Sequence, residues 1–576
     1  MKNHKVNFIN QNVSVIAEEG TTLAKICDEA GFSLDLLCGG NGTCGKCKVE
    51  VEINNKKTAV LSCQFKIDSD IGVYLSKGDY RIRTKILECF YDDGHTFNPY
   101  LKKIYKDIKT IRDERIEEFL KNCHIDVLRN FSHLVNQCEG ITFIIYDDEV
   151  IDVQPGDTTN YLYGAAVDIG TTTVVLYIYD LNTGELIDIF SDLNSQLSAG
   201  ADVISRINYA DCKERLDELN GKIILTLNNM VQRAEFEIPN LKENLYNIIL
   251  CGNSTMQHLF LGLRPDGLGV SPFTCITKGF VKLLGKDTDL HCADRCKIIF
   301  LPLLGGFVGA DTTAVLLTIP DDEKNRLIID LGTNGEIAVG NESHYYVAST
   351  ACGPALEGGC IEFGMRGTDG AIEKVRIENN DVVIKVIGNT EPLGICGSGI
   401  IDAVSELLRN NIIDKDGRML SKDEYEQVKP YSRLKDRFAE IGGQNSFILY
   451  EGNKVIYISQ KDIRQVQLAK SSIYSGCMAI LNAMGKDIED IDEIVVAGAF
   501  GNYIDVNNAV YLGLLPNSID KIKFVGNGAG KGASIFMLDR SMNEKCHRVT
   551  MNTTHYELAS DEYFISAYIN NINFNF

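Results

Sequence analysis

The chain has 576 residues, 44% hydrophobic and 24% charged, a globular balance that excludes a disordered or fibrous protein and by length suggests about four domains. Lys+Arg at 57 against Asp+Glu at 79 leave a formal charge of −22, which argues against nucleic acid or an anionic membrane as default partner. The longest apolar run, Ile298 to Ala310, is interrupted by Pro302, Gly305 and Gly306 and falls short of the roughly 20 residues a membrane span needs; Met1-Lys-Asn-His-Lys opens no secretion signal, so the chain is expected in the cytoplasm.

Residues 1–78 read as a small β-rich unit. Lys5-Val-Asn-Phe-Ile and Asn12-Val-Ser-Val-Ile alternate apolar with polar around Asn10-Gln11, which predicts a hairpin. Thr22 to Ala30, closed by Gly31, predicts a short helix with a glycine C-cap, and Cys47-Lys-Val-Glu-Val-Glu-Ile alternates again as a strand. Of 18 cysteines, Cys38, Cys44, Cys47 and Cys63 cluster at spacings of five, two and fifteen residues. In a cytoplasmic chain such thiols are metal ligands, buried hydrophobes or redox groups rather than disulfides. The scattered remainder, mostly among apolar neighbours, reads as packing. A [2Fe–2S] cluster needs four thiolates, three usually from one glycine-rich loop, and Gly39, Gly40, Gly42 and Gly45 let the backbone wrap it. Zinc on the same four cysteines is the alternative, although only Cys44 and Cys47 form the knuckle that zinc sites pair; four unligated thiols are a third reading. The five-two spacing resembles adrenodoxin-like ferredoxins rather than the plant type.

From about Lys77 the sequence turns charged. Residues 79–100 read as a linker and 101–160 as a small middle domain entered by a helix, because Ile104, Ile108, Ile111 and Ile116 recur at helical spacing within Lys102–Leu120. No function is legible there. From 161 to 576, hairpin and helix signals alternate as in a large α/β unit with an internal duplication. Val167-Asp168-Ile-Gly-Thr-Thr-Thr-Val returns as Ile329-Asp330-Leu-Gly-Thr-Asn-Gly-Glu-Ile, so two related lobes with a cleft between them are expected. Each copy ends a strand in Asp and turns through small polar residues: Gly170, Thr171, Thr172 and Thr173, then Gly332, Thr333, Asn334 and Gly335. Such turns approach a polyphosphate closely, and Asp168 and Asp330 are suited to hold Mg²⁺ through water. Either turn alone is also an ordinary hairpin; two facing copies argue for phosphate. A third element, Ile494-Val-Val-Ala-Gly-Ala-Phe-Gly-Asn502, ends a β-branched strand in Gly498 and Gly501, which leaves room for adenine or ribose. Gly526-Asn-Gly-Ala-Gly-Lys-Gly is not spaced as a P-loop.

Two phosphate hairpins with a late strand-Ala-Gly-x-x-Gly resemble the ATPase superfamily of actin, hexokinase and the heat-shock chaperones. In kinases of that group an Asp opening the helix before the second phosphate loop acts as general base. Here that residue is Asp311, which would orient water at the γ-phosphate unless it merely caps its helix; Glu336 is the rival. With the cysteine loop ahead of such an ATPase, the chain resembles the reductive activators of corrinoid proteins. The likeness runs through Cys38-Gly-Gly-Asn-Gly-Thr-Cys-Gly-Lys-Cys, Gly200-Ala-Asp-Val-Ile-Ser-Arg-Ile, Gly252-Asn-Ser-Thr-Met-Gln-His, Gly306-Phe-Val-Gly-Ala-Asp, Cys352-Gly-Pro-Ala-Leu-Glu-Gly-Gly, Ile395-Cys-Gly-Ser-Gly and Gln467-Leu-Ala-Lys-Ser. It covers the first 65 residues and most of 161–535.

The resemblance implies an α/β chain: an N-terminal β-grasp ferredoxin-like [2Fe–2S] domain (1–78), a linker (79–100), a middle domain (101–160) and a two-lobed, ribonuclease-H-like duplicated ATPase domain (161–576). It implies a [2Fe–2S] cluster, ATP and Mg²⁺, and one electron passed to inactive Co(II) of a corrinoid protein in a methyltransferase system to regenerate Co(I). An upstream low-potential donor and a homodimer are further implications. The alternatives are a small-molecule kinase with a cluster-bearing sensor domain, a non-enzymatic regulator, and an ATP-coupled electron donor to another low-potential enzyme. Unlike a related methanogen group with C-terminal cysteine-rich repeats, the last 99 residues hold only Cys546, while Cys352, Cys360 and Cys396 add thiols near the cleft that read as packing. Four weaker signals keep two readings each: His258 packed or facing cobalt or phosphate, Glu357 on ribose or at a surface turn, Lys470 on nucleotide or in solvent, and Arg206 with Asp202 paired across a helical turn or functional.

Overall fold

The computed structural model describes residues 3–11, 13–30, 48–53, 56–75, 96–113, 120–498 and 504–574. Gly31, Cys38, Cys44, Cys47 and Gly501 lie outside them. The N-terminal alternation folds into β1 (Asn3–Phe8), β2 (Val13–Glu18), β3 (Lys48–Ile53), β4 (Lys56–Leu61) and β5 (Ile71–Tyr74), one sheet in the order β2-β1-β5-β3-β4. Val6, Phe8, Val49, Val51 and Val73 are buried on one face because successive side chains of a strand alternate sides. Helix Leu23–Glu29 covers that face with Leu23, Ile26 and Cys27, completing a β-grasp core.

A three-stranded antiparallel sheet follows: β6 (Leu101–Asp107), β7 (Gly140–Tyr146) and β8 (Glu149–Pro155), with helix Ile125–Leu134 against β8. The helix expected over Lys102–Leu120 is therefore corrected in its first part: 101–107 is strand, Ile108–Asp113 is helix, and 114–119 lie outside the described residues. The reason is tertiary. β7 is buried along almost its whole length and needs backbone partners on both edges; β6 supplies one in unbroken register from Leu101 opposite Tyr146 to Asp107 opposite Gly140. Lys103 of β6 donates to Gln154 Oε1 at 2.7 Å and to Asn244 Oδ1 at 2.6 Å, fastening this sheet to the next unit.

Two six-stranded sheets carry the rest. The first holds β9 (Tyr163–Ile169), β10 (Thr173–Asp180), β11 (Leu186–Leu193), β12 (Leu245–Gly252), β13 (Val281–Leu284) and β14 (Lys297–Phe300), in the order β11-β10-β9-β12-β14-β13. The second begins with β15 (Arg326–Leu331), β16 (Gly335–Asn341) and β17 (His344–Thr350). Two three-stranded side sheets are then inserted: β18 (Ala371–Glu378), β19 (Asp381–Val386) and β20 (Gly394–Ile395), and β21 (Phe438–Ile441), β22 (Gln444–Glu451) and β23 (Val455–Ser459). β24 (Glu493–Ala497), β25 (Ile522–Gly526) and β26 (Thr553–His555) complete the second sheet as β25-β24-β15-β16-β17-β26.

Both sheets place three antiparallel strands on one side and two parallel strands, β12 and β14 or β24 and β25, on the other. The duplication read from the two Asp-x-Gly-Thr segments is thus structural. It sets Asp168 and Asp330 at equivalent places, one residue before the end of β9 and of β15. Helices Ala310–Leu317 and Gly528–Leu538 pack against each other between the sheets. A Cβ at Gly532 would lie 1.8 Å from the Ala314 carbonyl oxygen, so glycine is what lets these backbones meet. The Gly526-Asn-Gly-Ala-Gly-Lys-Gly run is accordingly a helix-packing element, capped by Asn527. Among the described residues no helix is long and apolar enough to cross a membrane.

Candidate functional site

Gly170, Thr171 and Thr172 form the turn from β9 to β10, which Thr173 opens; Gly332, Thr333 and Asn334 form the turn from β15 to β16, which Gly335 opens. The two turns face each other, with Thr172 Oγ1 3.1 Å from Thr333 Oγ1. Each is braced from behind. Asn253, N-cap of helix Ser254–Phe260, donates from Nδ2 to Thr171 Oγ1 at 2.9 Å. Arg206 is fully buried and donates to the Thr171 carbonyl and, at 3.0 Å, to the Gly200 carbonyl. Its hydrogen bonds run to the loops, whereas Asp202 caps helix Val203–Tyr209 by accepting from Ser205 N at 2.8 Å. On the other side the buried Cys352 thiol donates to the carbonyls of Gly332 (3.3 Å) and Thr333 (3.4 Å), a packing role. Gly498, at φ +112°, follows β24 so tightly that a Cβ would lie 2.4 Å from the Leu331 carbonyl oxygen.

Five carboxylates gather at these turns. Asp168 accepts from Asn527 Nδ2 at 3.0 Å. Asp311 sits in the first turn of helix Ala310–Leu317, whose N-cap is Gly309, so it does not cap the helix; its Oδ1 accepts from the Thr312 N–H at 2.7 Å. Asp330 stands one residue before the end of β15, and Glu336, buried in β16, accepts from Ser349 Oγ at 3.4 Å. Glu357 accepts from Thr333 Oγ1 at 3.1 Å, inside the cleft rather than at a surface turn. Burial is the main force holding protons on these groups. It pushes Asp168 up to about 7, helped by the charge of Asp311, and Asp311 up to about 6. Asp330 is pushed up to about 8, with Asp311 and Asp168 adding to burial, and Glu336 stands well above the usual carboxylate range. Among the described residues no three His, Cys, Asp or Glu side chains stand together as a direct metal cage.

These shifts predict a pH dependence. A carboxyl whose folded pKa is raised binds more protons folded than unfolded, so stability is lost as pH rises from about 4 through about 8. Without nucleotide the chain is expected to lose several kcal/mol across that range, because each tenfold change in proton affinity is worth roughly 1.4 kcal/mol and three carboxyls contribute. Mg²⁺ with ATP, which favours the ionised carboxylates, should stabilise more at the alkaline end. Thermal unfolding of wild type and Asp330→Asn checks it: the variant should show a shallower fall, and an unchanged slope would sink the idea.

Two other expectations are resolved here. His258 packs in its helix: the Ile276 N–H donates to Nε2 at 3.1 Å, so the proton sits on Nδ1, which donates to the Ser254 carbonyl at 2.8 Å. Lys470 is buried rather than in solvent, and its ammonium donates to the Asn573 carbonyl at 2.6 Å. Of the four clustered cysteines, Cys63 is described: it is buried beside Ala24 and Leu61, with Gln64 Nε2 3.7 Å from its sulfur. Lys48, the first described residue after the cysteine loop, pairs with Leu61, two residues before Cys63.

Fold and cleft define a two-lobed ATPase of the actin, hexokinase and heat-shock-chaperone type joined to a ferredoxin unit. Family models match three stretches: a 2Fe-2S iron-sulfur cluster binding domain over residues 7–68, the RACo middle region over 163–322, and the C-terminal domain of RACo, the ASKHA domain, over 324–575. The "middle region" is therefore the first lobe, and 101–160 falls between matches. The chain is 42% identical over 590 residues to the corrinoid activation enzyme RamQ of Eubacterium limosum, covering 98% of each. It is 25% identical over 443 residues to the [Co(II) methylated amine-specific corrinoid protein] reductase of Methanosarcina barkeri, 71% of this chain and 76% of that one. A solved reductive activator for corrinoid, iron-sulfur protein superposes with a TM-score of 0.76 at 27% identity, covering 99% of this chain and 98% of the other. The chain belongs to the family of reductive activators of corrinoid proteins.

Proposed function

We propose that this chain couples ATP binding and hydrolysis to one-electron reduction of Co(II) on a partner corrinoid protein, regenerating Co(I) for methyl transfer. The observation that carries it is the pair of phosphate turns, Thr172 against Thr333 at 3.1 Å, in one chain with a [2Fe–2S] domain and a relative named as a Co(II) corrinoid-protein reductase. Cys38, Cys44, Cys47 and Cys63 hold the cluster, which when bound supplies single electrons. Backbone and hydroxyl groups of Gly170–Thr173 and Gly332–Gly335 hold the ATP phosphates. Asp168 and Asp330 hold hydrated Mg²⁺, and Gly498 and Gly501 make room for the nucleoside. Asp311 orients the attacking water. Each ~59 mV of uphill gap disfavours one-electron transfer tenfold, so a step to Co(I) from ordinary ferredoxin potential needs coupling. Closure of the lobes on ATP provides it only if the open and closed forms grip the partner differently. An upstream low-potential donor reloads the cluster, and the chain acts in the cytoplasm as a homodimer.

The test uses anaerobically purified protein. About two irons per chain with a [2Fe–2S] EPR signal after reduction are expected, and visible spectra of a corrinoid protein should show Co(II) lost only when ATP is present. Zinc in place of iron, or Co(II) reduction indifferent to ATP, would overturn the reading. Phosphoryl transfer to a sugar or acid would favour the kinase alternative.

A further inference from the structure

We propose that Arg366 is a γ-phosphate ligand that distinguishes ATP from ADP, and that Glu357 holds it in reserve until ATP enters; the proposal rests on the cleft being an ATP site. Arg366 belongs to the second lobe, yet its Nη2 donates to the Thr172 carbonyl of the first at 3.3 Å. Its positive charge also favours the ionised form of the Glu357 carboxyl. Glu357 in turn accepts from Thr333 Oγ1 at 3.1 Å, and Thr333 Oγ1 stands 3.1 Å from Thr172 Oγ1. One carboxylate thus sits on the hydroxyl pair that joins the two phosphate turns, and Arg366 reaches the first turn from the second lobe.

A terminal phosphate entering between the turns needs those same donors. It cannot share them with Glu357, because two anions on one set of donors repel. The exchange is carboxylate out, phosphate in, around groups already in place. Arg366 is built for this and Arg206 is not. Arg206 is fully buried and committed to the Thr171 carbonyl, the Gly200 carbonyl (3.0 Å) and Gln196 Oε1 (3.3 Å). Arg366 is half-buried and holds Thr172 by a long bond. Its base is fixed: the Met365 N–H donates to the Ile395 carbonyl at 2.9 Å and the Ile395 N–H to the Phe363 carbonyl at 2.7 Å. A guanidinium fork on a fixed base matches two phosphate oxygens at once. ADP brings no terminal phosphate and leaves Glu357 where it is.

Nucleotide titrations and steady-state hydrolysis on the full chain test this. Arg366→Ala should weaken ATP about tenfold and ADP by less than about twofold, and should slow hydrolysis roughly 100-fold. Millimolar guanidinium should restore part of that rate. Glu357→Gln should move the other way and tighten ATP severalfold. If Arg366→Ala does not fold, Arg366→Lys, which keeps the charge without the fork, is read by the same ATP-to-ADP ratio. An equal loss for both nucleotides, no loss for ATP, or weaker ATP binding in Glu357→Gln overturns the proposal. A wild-type chain that binds neither nucleotide overturns instead the ATP-site reading beneath it.

Discussion

Cys44→Ala is expected to abolish Co(II) reduction while ATP hydrolysis stays within about twofold of wild type. The separation follows from the packing. Among the described residues the N-terminal core is built from Val6, Phe8, Leu23, Ile26, Val49, Val51, Ile67, Ile71 and Val73 and includes none from the ATPase. The ATPase packs around two other cores, one around β9, β10 and β12 that also takes in Ile328, Val347 and Val495 of the second sheet, and one around β15, β24 and helix Gln460–Ala483. Losing one of four thiolates should therefore empty the cluster site without disturbing the phosphate turns. Cys44 is a cleaner choice than Cys63, which is buried against Ala24 and Leu61 and contributes to packing as well. Iron content and EPR report the cluster, phosphate release reports the ATPase, and visible spectra of the partner report cobalt. Full reduction by the iron-free variant would show that the electron travels by another route.

The features legible in the sequence are those with a local cause. The hairpin β1–β2, helix Leu23–Glu29 and strand β3 follow from period and turn chemistry within about ten residues. The two Asp-x-Gly-Thr turns carry their own glycine and hydroxyls, and their duplication indicated the two lobes. Strand β6 is misread because Ile104 and Ile108 serve a sheet core as well as they would a helix face, and the deciding partner, β7, lies far along the chain. The supports of the cleft are hidden for the same reason. Asn527 reaches Asp168 across 359 residues, Arg366 reaches Thr172 across 194, and Lys470 reaches the Asn573 carbonyl across 103. Capping patterns at Asp202 and Asn253 locate helices but say nothing about what Arg206 or Asn253 braces. Arg206 in Asp202-Val-Ile-Ser-Arg-Ile207 carries no local mark of burial, because a charged residue between Ser205 and Ile207 reads equally as surface.

Asp311→Asn is expected to cut ATP hydrolysis by about 10² to 10³, with the KM for ATP within about threefold. Two carboxylates compete for the attacking water, and burial separates them. Asp311, held at about 6, is ionised at neutral pH and can accept a hydrogen bond from water. Glu336 lies deeper, between the charges of Asp311 and Asp330, and burial with those charges holds it well above the usual carboxylate range, favouring the protonated form. A protonated carboxyl donates where a base must accept, so Glu336→Gln, which keeps a neutral hydrogen-bonding group, should cost less than about tenfold. In the wild type kcat/KM should rise with pH through about 6, as the carboxyl of the free enzyme ionises, and the rise should vanish in Asp311→Asn. A larger loss in Glu336→Gln than in Asp311→Asn would reverse the assignment. The same variant then separates two couplings: a single Co(II) reduction that proceeds at the wild-type rate with ATP bound but uncleaved would mean that lobe closure drives the electron and hydrolysis only resets the cleft.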